Sequence, residues 1–229
     1  MKDFSENKNT LQVEITEDGS PTLFVKEMNE HYHSVKGALT EAEHIYRDCA
    51  FRYRAAHPLY ETGLRVLEIG FGTGLNALVT ALACQTASVS VHYIALEKYP
   101  VKPELLDSLD YGRQSDPSLF RQLHEASWNM PVVVSSCFLL EKRCADLLYS
   151  SLPTDMDVVY FDAFAPEKQP EMWSDEIFRR IYAAMRQGGV LTTYCAKGAV
   201  RRLLQSVGFR VERISGPPGG KREILRAVK

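Results

Sequence analysis

The sequence predicts an α/β fold built on a mostly parallel sheet. Three observations carry this prediction. Apolar segments of strand length alternate with segments of helical period from about residue 64 onward. Several strand segments are near-continuous apolar runs, as expected where helices cover both faces of a sheet. Two last strand segments, either side of a short Pro/Gly-rich turn, imply an antiparallel edge. The 229 residues suit one compact domain with a small elaboration. Residues 1–57 read as an N-terminal β/α extension and 58–229 as the main α/β domain.

The elements follow in order. Residues 11–35 contain LQVEIT, the turn signal EDGS and TLFVKEM, so short strands joined by a turn. Residues 38–56 form a helix, with Thr40 as N-cap and Ile45, Tyr46, Cys49 and Tyr53 at helical spacing. His57-Pro58 ends it. LRVLEIG (64–70) is a strand, and a helix runs from Thr73 to about Cys84. SVHYIALE (90–97) is a strand, and 103–127 is helical with a break near Gly112 and Pro117. Residues 131–144 have strand character, and CADLLYSSL is a short helix. MDVVYFDAF (156–164) is an apolar strand ending in an acid. A helix from Ser174 to about Gln187 stops at Gly188-Gly189. VLTTYC (190–195) is a strand, 197–208 a helix, and FRVERI and REILRAV the closing pair. That ending resembles the close of class I methyltransferase domains.

Composition narrows the function classes. Hydrophobic residues make up 45% and charged residues 24%, so extended disorder is not expected. The five cysteines (49, 84, 137, 144 and 195) are scattered without a CxxC pair, which predicts neither a zinc ribbon nor a disulfide scaffold. No metal site is expected. The polar N-terminus is no signal peptide, and no apolar run of about 18 residues is present, so no membrane partner is expected. A reducing cytoplasm is the simplest location.

The sharpest local signal is VLEIGFGTGLN (66–76). A buried strand enters a loop with glycines at 70, 72 and 74, then a helix. Glycines let the backbone approach a ligand, and the helix start offers free N–H groups. A dinucleotide fingerprint fits poorly, because its third glycine would fall on Leu75 or Ala77. The spacing of Glu68, Gly70, Gly72 and Gly74 instead resembles motif I of S-adenosylmethionine-dependent methyltransferases. There the acid serves the charged amino-acid end of the cofactor. Glu97 ends the next strand, where a carboxylate can accept from both ribose hydroxyls of S-adenosylmethionine or NAD alike.

The strand ending at Tyr160-Phe161 delivers Asp162-Ala163-Phe164-Ala165-Pro166. In a doubly wound sheet this loop lies beside the glycine loop. Asp162 can bind an amine or take its proton, and Phe164 offers a flat face for a base.

The net charge of −2 hides a split. Residues 190–229 carry +7 and the rest of the chain −9. A basic end is a candidate polyanion footprint, or a solvated surface with chance clustering.

IALE, the block FDAFAPEKQPEMW and the tail GAVRRLLQSVGF…GPPGGKREILRA together resemble the methyltransferase domain of the bacterial tRNA-modifying MnmC family and its free-standing relatives. The resemblance covers residues 12–228. It departs at Ala163, where the family commonly has Gly, and in LTEAEHIY, which matches the family's stretch only in part. The resemblance implies a Rossmann-like class I methyltransferase fold that uses S-adenosylmethionine, with no FAD and no metal. It implies a tRNA anticodon loop as partner and methylation of 5-aminomethyl-(2-thio)uridine at wobble position 34. The chain is too short for the fused FAD-dependent oxidase domain of bifunctional members, which implies a functional link to the enzymes that make the aminomethyl precursor.

The catalytic candidates are Asp162 and Phe164. The cofactor-binding candidates are Glu68, Gly70, Gly72, Gly74, Glu97, Asp146, in the adenine region, and Asp162. The tRNA-binding candidates are Lys168, Lys197, Arg201, Arg202, Lys221 and Arg222. The rival readings are a small-molecule N-methyltransferase, an NAD-dependent oxidoreductase supported only by G-T-G-L-N-A, and a non-catalytic RNA-binding protein.

Overall fold

In the computed structural model the described residues are 11–57, 63–109, 111 and 116–229. Strands β1 (Leu11–Ile15), β2 (Pro21–Val25) and β3 (Glu30–His31) form a small antiparallel sheet. Its first turn does the capping that residue type alone assigns to Thr40. Gly37 occupies the N-cap position of the next helix without a side-chain bond of its own. The Ala38, Leu39 and Thr40 N–H groups instead donate to Thr16, Ser20 and Asp18. The orphan donors of the helix start are thereby satisfied from the β1–β2 turn, which fixes the small sheet on the helix.

That helix, α1, is α-helical over Ala38–Glu41, π-helical over Ala42–Arg52 and α-helical again over Tyr53–Ala55. The main sheet has eight strands. They are β4 (Leu64–Ile69), β5 (Val91–Glu97), β6 (Pro131–Ser135), β7 (Phe138–Cys144), β8 (Met156–Phe161), β9 (Met185–Thr193), β10 (Arg210–Ser215) and β11 (Glu223–Val228). Their order is β10-β11-β9-β8-β4-β5-β7-β6. β4, β5, β7, β8 and β9 are parallel, whereas β6 and β11 pair antiparallel at the two ends. The antiparallel closing pair, β10 and β11, is the one the sequence predicts.

Side chains alternate across the sheet. Val66, Tyr93 and Tyr160 pack with α1 and with α2 (Leu75–Ala87). Leu67, Ile69 and Phe161 face the other way, onto α5 (Asp175–Ala184) and α6 (Gly198–Val207). Leu23, Ile45 and Phe51 of the N-terminal extension share the first of these cores. Beneath them Arg54 and Asp157 form a buried ion pair at 3.1 Å.

Several expected elements differ. Residues 131–144 fold as the β6–β7 hairpin, with no Gly or Asn in the turn to advertise it. The helix from Ser174 ends at Ala184, because Met185 already pairs with β8 and Gly188–Gly189 bond to Lys229. Residues 145–152 contain turns rather than a helix. The 103–127 region holds α3 (Pro103–Leu106) and α4 (Pro117–Glu125), and Asp116 caps α4. Gly112 and Pro58 lie outside the described residues.

From β4 the sheet grows toward β5 and β7 on one side and toward β8 and β9 on the other. The crevice beyond the carboxyl ends of β4 and β8 is thus the topological switch point, where ligands of such sheets bind. Among the described residues no helix is long and apolar enough to cross a membrane, and no cluster of residues has metal-ligand character.

Candidate active site

A cavity of about 780 Å³ opens at this switch point. On one wall the chain leaves β4 through the glycine loop. Gly70 has φ 90°, and a Cβ there would lie 3.1 Å from the Asp162 carbonyl oxygen. Only a glycine lets the loops after β4 and β8 approach so closely. Gly72 lies against the Tyr32 ring, and its N–H donates to Glu97 Oε2 at 3.0 Å. Gly74 is the left-handed N-cap of α2 and faces His124 rather than the cavity.

Glu97 lines the cavity, and its second oxygen accepts from the Tyr99 N–H at 2.8 Å. Burial pushes its carboxyl above the ordinary carboxylate range. Asp146 also lines the cavity. It pairs with Lys98 at 2.8 Å and accepts from the Leu148 N–H.

Asp162 sits where the two loops meet. Its Oδ1 accepts from the Tyr46 hydroxyl at 2.6 Å, and its Oδ2 accepts from the Asn76 amide at 2.8 Å. Burial of the side chain raises its pKa to about 7. The Tyr46 and Asn76 hydrogen bonds, and the charge of Lys221, oppose that rise, while the charge of Glu41 adds to it.

The following loop is held rigidly. The Phe164 N–H donates to Gln169, Trp173 Nε1 donates to the Phe164 carbonyl, and the Tyr194 hydroxyl donates to the Ala163 carbonyl. The Phe164 ring meets Tyr32 edge-on, with centroids 5.2 Å apart. His33 reaches toward Thr73 of the glycine loop at 3.3 Å. The N-terminal sheet is thus a wall of the site. Tyr32, His33, Tyr46, Asn76 and Tyr194 are site residues that sequence reasoning missed. Only Asn76, at the end of the glycine motif, carried a local signal.

Glu68 stands apart. It is fully buried and does not line the cavity. Its side chain shares the Val66–Tyr93 face, under α2 and against Tyr93 and Asn76, with neither oxygen in hydrogen-bond geometry. Burial, then the charge of Asp162, pushes its carboxyl well above the usual range.

The basic candidates divide into two groups. Lys168, Lys197 and Lys221 line the cavity. Each has a partner: Lys168 the Met28 carbonyl, Lys197 the exposed Glu167, and Lys221 Glu41 at 3.3 Å and the Tyr194 ring at 3.9 Å. Arg201, Arg202 and Arg222 lie outside the cavity lining, with no ion pair among the described residues. Counting charges did not reveal that Arg210, Arg213 and Arg226 are paired with Glu212 or Glu223.

The cavity suits S-adenosylmethionine. The Gly70–Thr73 backbone forms a cradle at a helix start without a side-chain cap, and carboxylates of Glu97, Asp146 and Asp162 line the same cavity, a donor set that fits a ligand with cationic groups. Fold and site define the class: a Rossmann-like class I methyltransferase fold. A profile of the S-adenosyl-L-methionine-dependent methyltransferase family matches residues 142–229. In sequence the chain is similar to the tRNA 5-methylaminomethyl-2-thiouridine biosynthesis bifunctional protein MnmC of Marinomonas sp. (strain MWYL1). The two are 32% identical over 223 residues, covering 91% of this chain and 32% of that protein. The MnmC protein of Cupriavidus metallidurans is 30% identical over 232 residues, covering 93% of this chain and 33% of that protein. The chain therefore spans about a third of the length of the curated relatives it matches. The crystal structure of MNMC2 from Aquifex aeolicus superposes with a TM-score of 0.74 at 25% identity, covering 98% of this chain and 72% of that one. Spermidine synthase from Thermotoga maritima shares the fold, with a TM-score of 0.61 at 16% identity and coverage of 99% and 72%.

Proposed function

We propose that this chain methylates the amine of 5-aminomethyl-(2-thio)uridine at wobble position 34 of tRNA, using S-adenosylmethionine. The observation that carries this reading is the convergence of Asp162, the glycine loop and the Phe164 loop on one cavity. The sequence similarity to MnmC proteins supplies the substrate class.

S-adenosylmethionine supplies an electrophilic methyl group on a sulfonium. Gly70 and Gly72 hold it through the backbone, Glu97 faces its ribose, and Asp146 its adenine. Gly74 shapes the loop, and Glu68 supports it from within the core. An alkylammonium has no lone pair, so the amine must react as the free base. Asp162 orients the amine and accepts its proton. Its raised pKa makes it a better proton acceptor than an ordinary carboxylate while leaving about half of it ionised at pH 7. Phe164 and Tyr32 offer ring faces for a base already splayed out of an anticodon loop. Lys168 and Lys197 lie at the site, and Arg201, Arg202 and Arg222 contact phosphates around it. Lys221 acts inside the cavity, through Glu41 and Tyr194.

The test is nucleoside mass spectrometry of tRNA from a strain lacking this protein. Accumulation of the unmethylated aminomethyl nucleoside supports the reading. An unchanged nucleoside profile rejects it.

A further inference from the structure

We infer that Tyr46, with Asn76, is a positioning residue that holds the Asp162 carboxylate in a single orientation for proton transfer. The inference rests on the reading of Asp162 as proton acceptor and assigns a role to a residue that does not line the cavity.

A carboxylate has about four lone-pair sites, two on each oxygen. Tyr46 takes one on Oδ1 and Asn76 takes one on Oδ2. The two donors come from different helices, so together they stop rotation of the carboxyl group about its Cβ–Cγ bond. The remaining lone pairs are left to the cavity that Asp162 lines.

The backbone that delivers Tyr46 is unusual. It is the π-helical stretch Ala42–Arg52 of α1, and such geometry is rare and concentrates at functional sites. The Tyr46 ring is fixed against Tyr160 of β8, with centroids 5.1 Å apart. The hydroxyl therefore arrives from two rigid elements, 116 residues away in sequence from its acceptor.

The groups facing Asp162 come from every element around it. They are Glu41 and Tyr46 of α1, Asn76 of α2, Glu68 of β4, Tyr93 of β5, Tyr194 after β9 and Lys221 of the β10–β11 turn. Of these, Tyr46 and Asn76 are the two that hydrogen-bond to it. Both donate to the ionised form, so removing either favours the protonated acid. Activity that requires ionised Asp162 then begins at a higher pH.

The experiment compares the full chain with its Tyr46→Phe, Asn76→Ala and Asp162→Asn variants. Single-turnover methylation of aminomethyl-uridine tRNA is followed from pH 5 to pH 9, with S-adenosylmethionine affinity measured by calorimetry. Tyr46→Phe should lower the rate at pH 7 roughly tenfold and move the acid limb up by about one pH unit. The rate should recover in part at pH 9, with cofactor affinity within about twofold of the parent. Asn76→Ala should move the limb in the same direction, and it carries the test if Tyr46→Phe does not fold. An unchanged limb and rate in the folded variants, beside an inactive Asp162→Asn, overturns the positioning role alone. Full activity in Asp162→Asn overturns the proton-acceptor reading and the positioning role with it.

Discussion

Replacing Asp162 by Asn should stabilise the ligand-free protein, and more so at alkaline than at acidic pH. Burial holds the folded-state pKa of Asp162 at about 7, against 3.8 for an unperturbed aspartate. An acid with a raised folded pKa favours folding at low pH, and this contribution is lost as pH rises from the unfolded to the folded value. At pH 8 the folded protein holds an ionised carboxylate in a desolvated pocket, a cost of about 4 kcal/mol from roughly three pKa units. At pH 5 only about one unit of that cost has accrued, about 1–2 kcal/mol. Asn is neutral at both pH values and keeps an acceptor for Tyr46. Its effects that do not depend on pH cancel when the two conditions are compared. The gain from Asp162→Asn should therefore grow by about 2–3 kcal/mol from pH 5 to pH 8, or roughly 5–10 °C in Tm for a chain of this size. Calorimetry or urea unfolding of both proteins at the two pH values measures it. An equal effect at pH 5 and pH 8 would refute the claim that burial holds Asp162 partly protonated near neutrality.

The other predictions concern the cofactor, the tRNA and the core. Glu97→Ala should weaken S-adenosylmethionine binding at least about tenfold, since a hydrogen-bonding carboxylate is worth roughly 1.5–3 kcal/mol, and isothermal titration reads this directly. Gly70→Val should abolish that binding, because its Cβ meets the Asp162 carbonyl at 3.1 Å on a backbone with φ 90°. Replacing Arg201, Arg202 and Arg222 together by Gln should reduce the slope of log K for tRNA against log salt by about 2, as expected for three single-strand phosphate contacts. Cofactor affinity should be unchanged in that variant. Arg54→Met should cost up to about 3 kcal/mol in urea unfolding, because it removes one of two arginines from the buried Asp157 and leaves it Arg186 at 3.4 Å.

What was legible in the sequence depended on range. Strands β4, β5 and β8 are nearly continuous apolar runs, so their cores were readable from composition alone. The glycine loop and Asp162 were readable because a strand end, a glycine pattern and an acid lie within a few residues of each other. Thr40 was misassigned because its local pattern suits a cap, whereas Asp18, 22 residues earlier, supplies the bond. The helix ending at Ala184 was overextended because β9 starts where the C-terminal Lys229 pairs with it. Tyr46 showed only helical spacing, and its hydroxyl gains meaning only when β8 is beside it. Charge summation could not show that Lys221 also lines the cavity, beside Glu41 and Tyr194, which lie 180 and 27 residues away in sequence.

The most direct test of the central claim is in vitro methylation with the purified chain. Its substrates are S-adenosylmethionine and tRNA that carries 5-aminomethyl-(2-thio)uridine at position 34, followed by nucleoside mass spectrometry. The expected result is conversion of that nucleoside to its methylaminomethyl form, lost in Asp162→Asn, with free small amines left unmethylated. Failure to convert the nucleoside while S-adenosylmethionine binds, or equal methylation of a free small amine, would contradict the account.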